Sequence, residues 1–236
     1  MKIAVLGTGV VGQTLAEKLA LLDHEITMGT RDVKKALSTA GADQFGRPAF
    51  GEWHKNHKNI KVGTFADAAA SGEFIINATN GMGSLNALEH AGHDHLKNKI
   101  LLDVSNPLDF SHGMPPSLWV SNTDSLGEQI QRAFPETKVV KSLHTMNAYL
   151  MVNPSLVPGD HTVFLNGNDA EAKLQVRGLL ISFGWKDVNI LDLGDITASR
   201  GTEQLLPLWV RIMGNLQHPF FNFRIVVGKP TQVQPG

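Results

Sequence analysis

The stretch "KIAVLGTGVVGQTLAEKLA", Lys2–Ala20, decides how the rest of the chain is read. An apolar run ends in glycine, and Leu15, Leu19 and Leu22 then recur at helical spacing. That pattern is a buried strand, a tight turn and a helix packed on the sheet. Gly7, Gly9 and Gly12 sit at the turn as G-x-G-x-x-G. The first permits the turn, the second lets backbone approach a pyrophosphate, and the third lets helix and strand pack closely. Free N–H groups and the dipole at the helix start favour phosphate there. A glycine-rich turn without ligand is the plainer alternative, but the strand–turn–helix setting favours a dinucleotide.

Such folds place an acidic residue about twenty positions beyond the glycine loop, on the adenosine ribose hydroxyls. Here "EITMGTRD", Glu25–Asp32, closes with Gly29, Thr30 and Arg31. A carboxylate would repel a ribose phosphate, whereas Arg31 offers a permanently charged planar fork. Thr30 adds a hydroxyl, and Lys35, four residues on from Arg31, is placed to face the same way. Asp32 reads as the cap of the next helix, turned away from the phosphate. The expected cofactor is NADP(H) rather than NAD(H).

Outward from this unit, "IKVG", "FIINAT", "KILLDVSNP" and "KVVKSL" read as strands three to six. "DVKKALSTAG", ending at Gly41, and "SLNALEHAG" read as helices, while residues 42–59 show no periodicity and read as loop. The alternation predicts an α/β fold, a doubly wound parallel Rossmann sheet. A tail follows: strand "HTVFLNGN", helix "DAEAKLQVRGLLISFG", strand "VNILDLGD", then a helix striped with Leu205, Trp209, Ile212 and Leu216. It is expected to form a small, closely packed C-terminal α+β part, residues 156–236, beside a nucleotide-binding part, residues 1–155. The stripe reads most simply as core.

Composition narrows the function classes. The 236 residues include 42% hydrophobic and 18% charged, ordinary for a soluble globular chain. Lys plus Arg total 21 against 22 for Asp plus Glu, so no bulk field draws in nucleic acid or an anionic membrane. There is no cysteine, which excludes disulfides and thiolate chemistry. The first strand leaves no room for a signal peptide, and "LLPLWVRIMGNL" is interrupted by Pro207 and Arg211. A cytoplasmic location is expected.

"GTGVVGQTLA", "GTRD", "LLDVSNPLDFSHGMPP", "SLGEQIQRAFPETKVVKSLHTMNA", "DHTVFLNGNDAEAK" and "DLGDITASRGTEQLLPLW" together resemble the bacterial branch of the NADPH:coenzyme F-420 oxidoreductase-like family. That family is related to the reductase domains of the STEAP ferric reductases. The resemblance runs from Lys2 to about Val227. It implies a Rossmann core, NADP(H) binding, and hydride transfer to a flavin- or deazaflavin-like co-substrate, and it suggests the Leu205–Leu216 stripe as the seam of a homodimer. It places Thr8, Gly9, Val10 and Val11 at the pyrophosphate, Thr30 and Arg31 at the ribose phosphate, and Ala78, Thr79 and Asn106 near the cofactor. Leu143–Asn147 would border the nicotinamide, with His144 where relatives more often carry asparagine.

Read from the residues themselves, "INATNG" puts Thr79 and Asn80 on the cofactor cleft, with Asn77 securing the loop. His144 follows the sixth strand, at the sheet edge where ligands bind, and is the candidate catalytic residue. It either donates a hydrogen bond to the acceptor or bonds a local carbonyl. Leu143, Met146, Leu205 and Leu206 are candidates for an apolar wall, with His144 and Asn147 orienting the ring's polar edge. Arg200 pairs with Glu203 one turn on, or reaches an acidic acceptor. "HAGHDH", with His90, His93 and His95, lacks a second ligand pair and reads as solvated loop, so no metal is expected. The leading expectation is an NADPH-dependent oxidoreductase acting on a small-molecule acceptor. The rivals are an imine or carbonyl reductase, with His144 or Tyr149 as proton donor, and a non-catalytic NADPH sensor.

Overall fold

In the computed structural model, residues 1–42 and 46–228 are described. The first unit is β1 (Lys2–Leu6), α1 (Val10–Leu21) and β2 (Glu25–Thr30). After it come α2 (Val33–Leu37), α3 (Phe50–Lys55), β3 (Lys61–Thr64), α4 (Phe65–Ser71) and β4 (Phe74–Asn77). Next are α5 (Ser84–Ala91), α6 (His93–Leu96), β5 (Ile100–Asp103), and a short antiparallel pair, β6 (Leu108–Asp109) and β7 (Ser117–Leu118). The chain continues through α7 (Leu126–Ala133), β8 (Lys138–Ser142), α8 (Ala148–Val152), β9 (Val163–Gly167) and α9 (Ala170–Ser182). It closes with β10 (Ile190–Asp192), α10 (Ser199–Glu203) and α11 (Leu205–Leu216).

Eight strands form one sheet in the order β10-β9-β8-β5-β4-β1-β2-β3. The six from β3 to β8 run parallel, and β9 joins antiparallel to β8, carrying β10 parallel to itself. The tail strands thus extend the Rossmann sheet. Successive strand residues serve opposite faces. Ile3 and Val5 pack under α1, α3, α8 and α9, whereas Ala4 and Leu6 pack under α4, α5 and α7. Strand order reverses between β1 and β4, so a crevice opens beyond their carboxyl ends.

Some local readings need correction. The second helix stops at Leu37, not Gly41. Ser38 and Thr39 turn their hydroxyls back onto the Lys35 and Ala36 carbonyls, at 2.9 and 2.7 Å, and compete with the helix ladder. Inside 42–59, read as loop, α3 buries Phe50 and Trp53; residues 43–45 lie outside the described residues. The stripe on α11 is only partly core. Trp209 is buried and stacks on Phe221 at 5.2 Å, while Leu216 is half exposed.

Candidate nucleotide cleft at the switch point

The glycine turn has the geometry its spacing implies. Gly7 has φ +115°, and a Cβ on Gly12 would lie 2.1 Å from the Gly7 carbonyl oxygen, so the close packing of α1 on β1 tolerates no side chain there. At Gly9 the same atom would meet nothing within 4 Å. Gly9 is also the N-cap of α1, with no side-chain cap and no acidic residue in the first turn. The helix therefore presents unmatched N–H groups to open space.

At the end of β2, Thr30 is nearly buried and Arg31 is exposed. Among the described residues the Arg31 guanidinium has no ion-pair or hydrogen-bond partner, and the exposed Lys35 ammonium has none either. Asp32 does cap α2, accepting from the Lys35 N–H at 2.9 Å. It is turned onto its own helix rather than onto Arg31.

A cavity of about 170 Å³ lies beyond β4 and β5, lined by Val11, Ala78, Thr79, Asn80 and Asn106 together with Ser105 and Phe110. Five residues expected at the cofactor thus meet around one space. Asn77 secures the loop from below: its Oδ1 accepts from the Thr79 hydroxyl at 2.6 Å, and its Nδ2 donates to Asp103 at 2.9 Å. Asn106 Nδ2 is committed to the His144 carbonyl at 2.8 Å. Its buried Oδ1 has no donor among the described residues.

His144 lies behind this wall. Its ring is 1% exposed, and neither nitrogen meets a partner in hydrogen-bond geometry. Burial first, and then the Lys141 charge, hold its pKa well below the usual imidazole value, with the Ser142 backbone opposing slightly. It is neutral at physiological pH. Leu143, just before it, holds a left-handed φ of +64°, a costly conformation for leucine. Leu143 and Met146 are not an open wall but members of the core between the sheet and α1 and α8. Leu206 is buried as well, and Asn147 caps α8 through the Tyr149 N–H. The open space beside this segment is lined instead by Tyr149, Trp53, Pro48 and Val10.

The expected Arg200–Glu203 pair does not form. On α10 the Glu203 side chain points inward to Lys141, at 2.8 Å, whereas Arg200 reaches Glu128 on α7 through two bonds of 2.8 and 2.5 Å. The histidines of "HAGHDH" are engaged locally: His90 and His95 bond carbonyls one turn back, and His93 pairs with Glu89 and stacks on Phe134. Among the described residues no cluster suits a metal ion, and no helix is long and apolar enough to cross a membrane.

Sequence comparison matches residues 2–107 to the family model of coenzyme F420-dependent NADP oxidoreductases. A crystal structure of a candidate F420-dependent NADP reductase from Arthrobacter sp. FB24 is 55% identical, covers 96% of this chain and 100% of its own, and superposes with TM-score 0.90. The F420-dependent NADP reductase of Methanothermobacter marburgensis is 26% identical over 90% of this chain and 92% of its own. Rat metalloreductase STEAP3 is 27% identical over 88% of this chain, which spans only 38% of that protein. An Aspergillus terreus reductive aminase solved with NADPH, 15% identical with TM-score 0.61 over 92% of this chain and 62% of its own, shares the fold.

Proposed function

Because the chain belongs to the coenzyme F420-dependent NADP oxidoreductase family, and is an NADP-dependent oxidoreductase, we propose that it moves hydride between NADP(H) and a planar flavin- or deazaflavin-like acceptor. The cofactor fits what this chain offers. The open N-terminus of α1 suits the pyrophosphate, Thr30 and Arg31 suit the ribose phosphate, and among the described residues neither Arg31 nor Asn106 Oδ1 has a partner. Arg31 is the observation that carries the NADP choice, since an unmatched guanidinium at the end of β2 is where a dinucleotide fold reads the ribose. NADPH bound there supplies hydride.

The residues of the chain orient and exclude rather than react. Val11, Ala78 and Thr79 shape the cavity, and Asn106 fixes the rim through the His144 carbonyl. Neutral His144 meets the rim through its backbone carbonyl, which accepts from Asn106, and its enclosed ring is not suited to delivering an acid proton. That favours a ring acceptor over an imine, whose reduction needs a positioned acid. The half-exposed Leu208 and Leu216 of α11 suit contact with a second copy of the chain, and a cytoplasmic location is part of this proposal.

The test uses NADPH deuterated on either face of its ring, with deazaflavin as acceptor. Label should leave from one face only and appear in the deazaflavin. If a cyclic imine oxidises NADPH while flavins, deazaflavin and quinones do not, the ring-acceptor reading is wrong. If nothing oxidises it, a sensor role takes its place.

A further inference from the structure

Beneath the cleft runs a chain of buried polar groups that begins in the tail. Lys141 on β8 is fully buried and commits three donors: to Asp103 Oδ2 at 2.7 Å, Glu203 Oε1 at 2.8 Å and the Ser105 carbonyl at 2.8 Å. Burial opposes its charge, but the two carboxylates outweigh burial and raise its pKa. One cation against two anions leaves a single negative charge inside the protein. Glu203 settles it on the Leu126 and Gly127 N–H groups, at 2.9 and 3.0 Å, where the start of α7 favours an anion.

Both arms of this network end at the cleft. Asp103 Oδ1 accepts from Asn77 Nδ2 and from the Ser105 N–H and hydroxyl, and Asn77 in turn holds Thr79. Thr79 lines one rim of the cavity, and Ser105 with Asn106 lines the other. On the second arm, Leu126 packs where the rims touch. A Cβ on Gly81 would lie 3.2 Å from Leu126 Cδ2 and 1.8 Å from the Asn106 carbonyl oxygen.

A buried ion triad adds little stability over apolar groups of the same volume, whereas a satisfied network fixes geometry. We propose that Glu203 is a positioning residue for the nicotinamide cofactor, holding Thr79 and Asn106 in register through Lys141, Asp103 and the start of α7. This rests on the NADP(H) reading of the cleft.

Arg200 supplies the control, since it ties the same helix to α7 through Glu128 without touching β4 or β5. Glu203→Gln should weaken NADPH binding about tenfold and NADH equally, keeping their ratio, while Arg200→Gln stays within about twofold. Glu203→Asp, which keeps the charge, should recover part of the loss. Coupling is reciprocal, so saturating NADPH should slow exchange of the Gly127 amide in the wild-type protein by about tenfold, which needs no variant to fold. A folded Glu203→Gln protein that binds NADPH normally, an equal loss in Arg200→Gln, or unchanged Gly127 exchange would overturn the proposal. Wild-type protein that binds no NADPH would instead remove the cofactor reading, and the proposal with it.

Discussion

The two edges of the sheet differ in a way that cavity size conceals. At the carboxyl edge the cavity beyond β4 and β5 holds about 170 Å³, yet α1 starts uncapped and, among the described residues, Asn106 Oδ1 and the Arg31 guanidinium have no partner. At the opposite edge a cleft of about 820 Å³ lies among Asn98, Arg132, Lys138 and Asp169. There Arg132 meets Asp124 at 2.7 Å, Lys138 meets Asp169 at 3.0 Å, and Glu128 holds Arg200. The larger space has its charges spent, and the smaller one has groups waiting for partners. An unmatched polar group at a rim is the better reason to propose a ligand there than volume is.

The largest effect should come from the glycine turn. Gly12→Ala forces a Cβ to 2.1 Å from the Gly7 carbonyl, so β1 and α1 must separate. NADPH affinity should fall by more than about a hundredfold with a loss of stability, because backbone cannot yield as a side chain can. Gly9→Ala meets nothing within 4 Å, so its melting temperature should stay near wild type while NADPH binding weakens. Calorimetry and thermal melts together separate the two, and a Gly9→Ala protein that binds NADPH normally would mean the open space is not the phosphate site.

Arg31→Ala comes next. One charge-assisted contact is worth about 1.5–3 kcal/mol, so NADPH should bind roughly ten- to a hundredfold more weakly. NADH should barely change. Equal losses would show that Arg31 does not read the ribose phosphate.

Much of this edge was legible in the sequence, because both the glycine spacing and Arg31 are local signals. The strands were legible too, as short apolar runs. The network under the cleft was not, since Asp103, Lys141 and Glu203 come together only when β5, β8 and α10 pack. A signal did exist. Asp103 in "KILLDV" and Lys141 in "KVVKSL" are charges inside strands buried on both faces, which require partners. α7 announced itself as well, through Ser125 and Glu128 at capping-box spacing. α3 was hidden because its buried anchors, Phe50 and Trp53, are only one turn of pattern.

A smaller effect is expected at His144. His144→Gln should slow turnover about two- to tenfold, leave NADPH binding nearly intact, and not shift the pH–rate profile between pH 6 and 8. Its folded pKa is depressed, so the unfolded chain binds the extra proton below about pH 6.5. His144 therefore costs stability as pH falls below that value and costs nothing at pH 8. Melting temperatures of His144→Gln should accordingly decline less between pH 7 and 5. A shifted rate profile would identify His144 as a proton donor and revive the imine reading.

The smallest effect should lie at the opposite edge, and it tests the contrast most directly. Arg132 and Lys138 are partly exposed, and ion pairs of that kind are worth about 0–1 kcal/mol each. Arg132→Ala with Lys138→Ala should leave NADPH affinity and turnover within about twofold and lower the melting temperature by only a few degrees. Acid provides a finer measure. Asp124 is held at a pKa of about 2, first by its hydrogen bonds from Arg132, with Gln129 and the Ser125 N–H adding to them against burial. Its contribution is complete above the unfolded pKa of about 4 and is lost as pH falls towards 2. Arg132→Ala removes the main cause of that depression but leaves Gln129 and Ser125. The double variant should therefore lose less stability than wild type between pH 4 and 2, with some acid dependence remaining. If instead it lost turnover tenfold at neutral pH, the paired charges of the larger cleft would have a functional role, and matched partners would no longer separate the two edges.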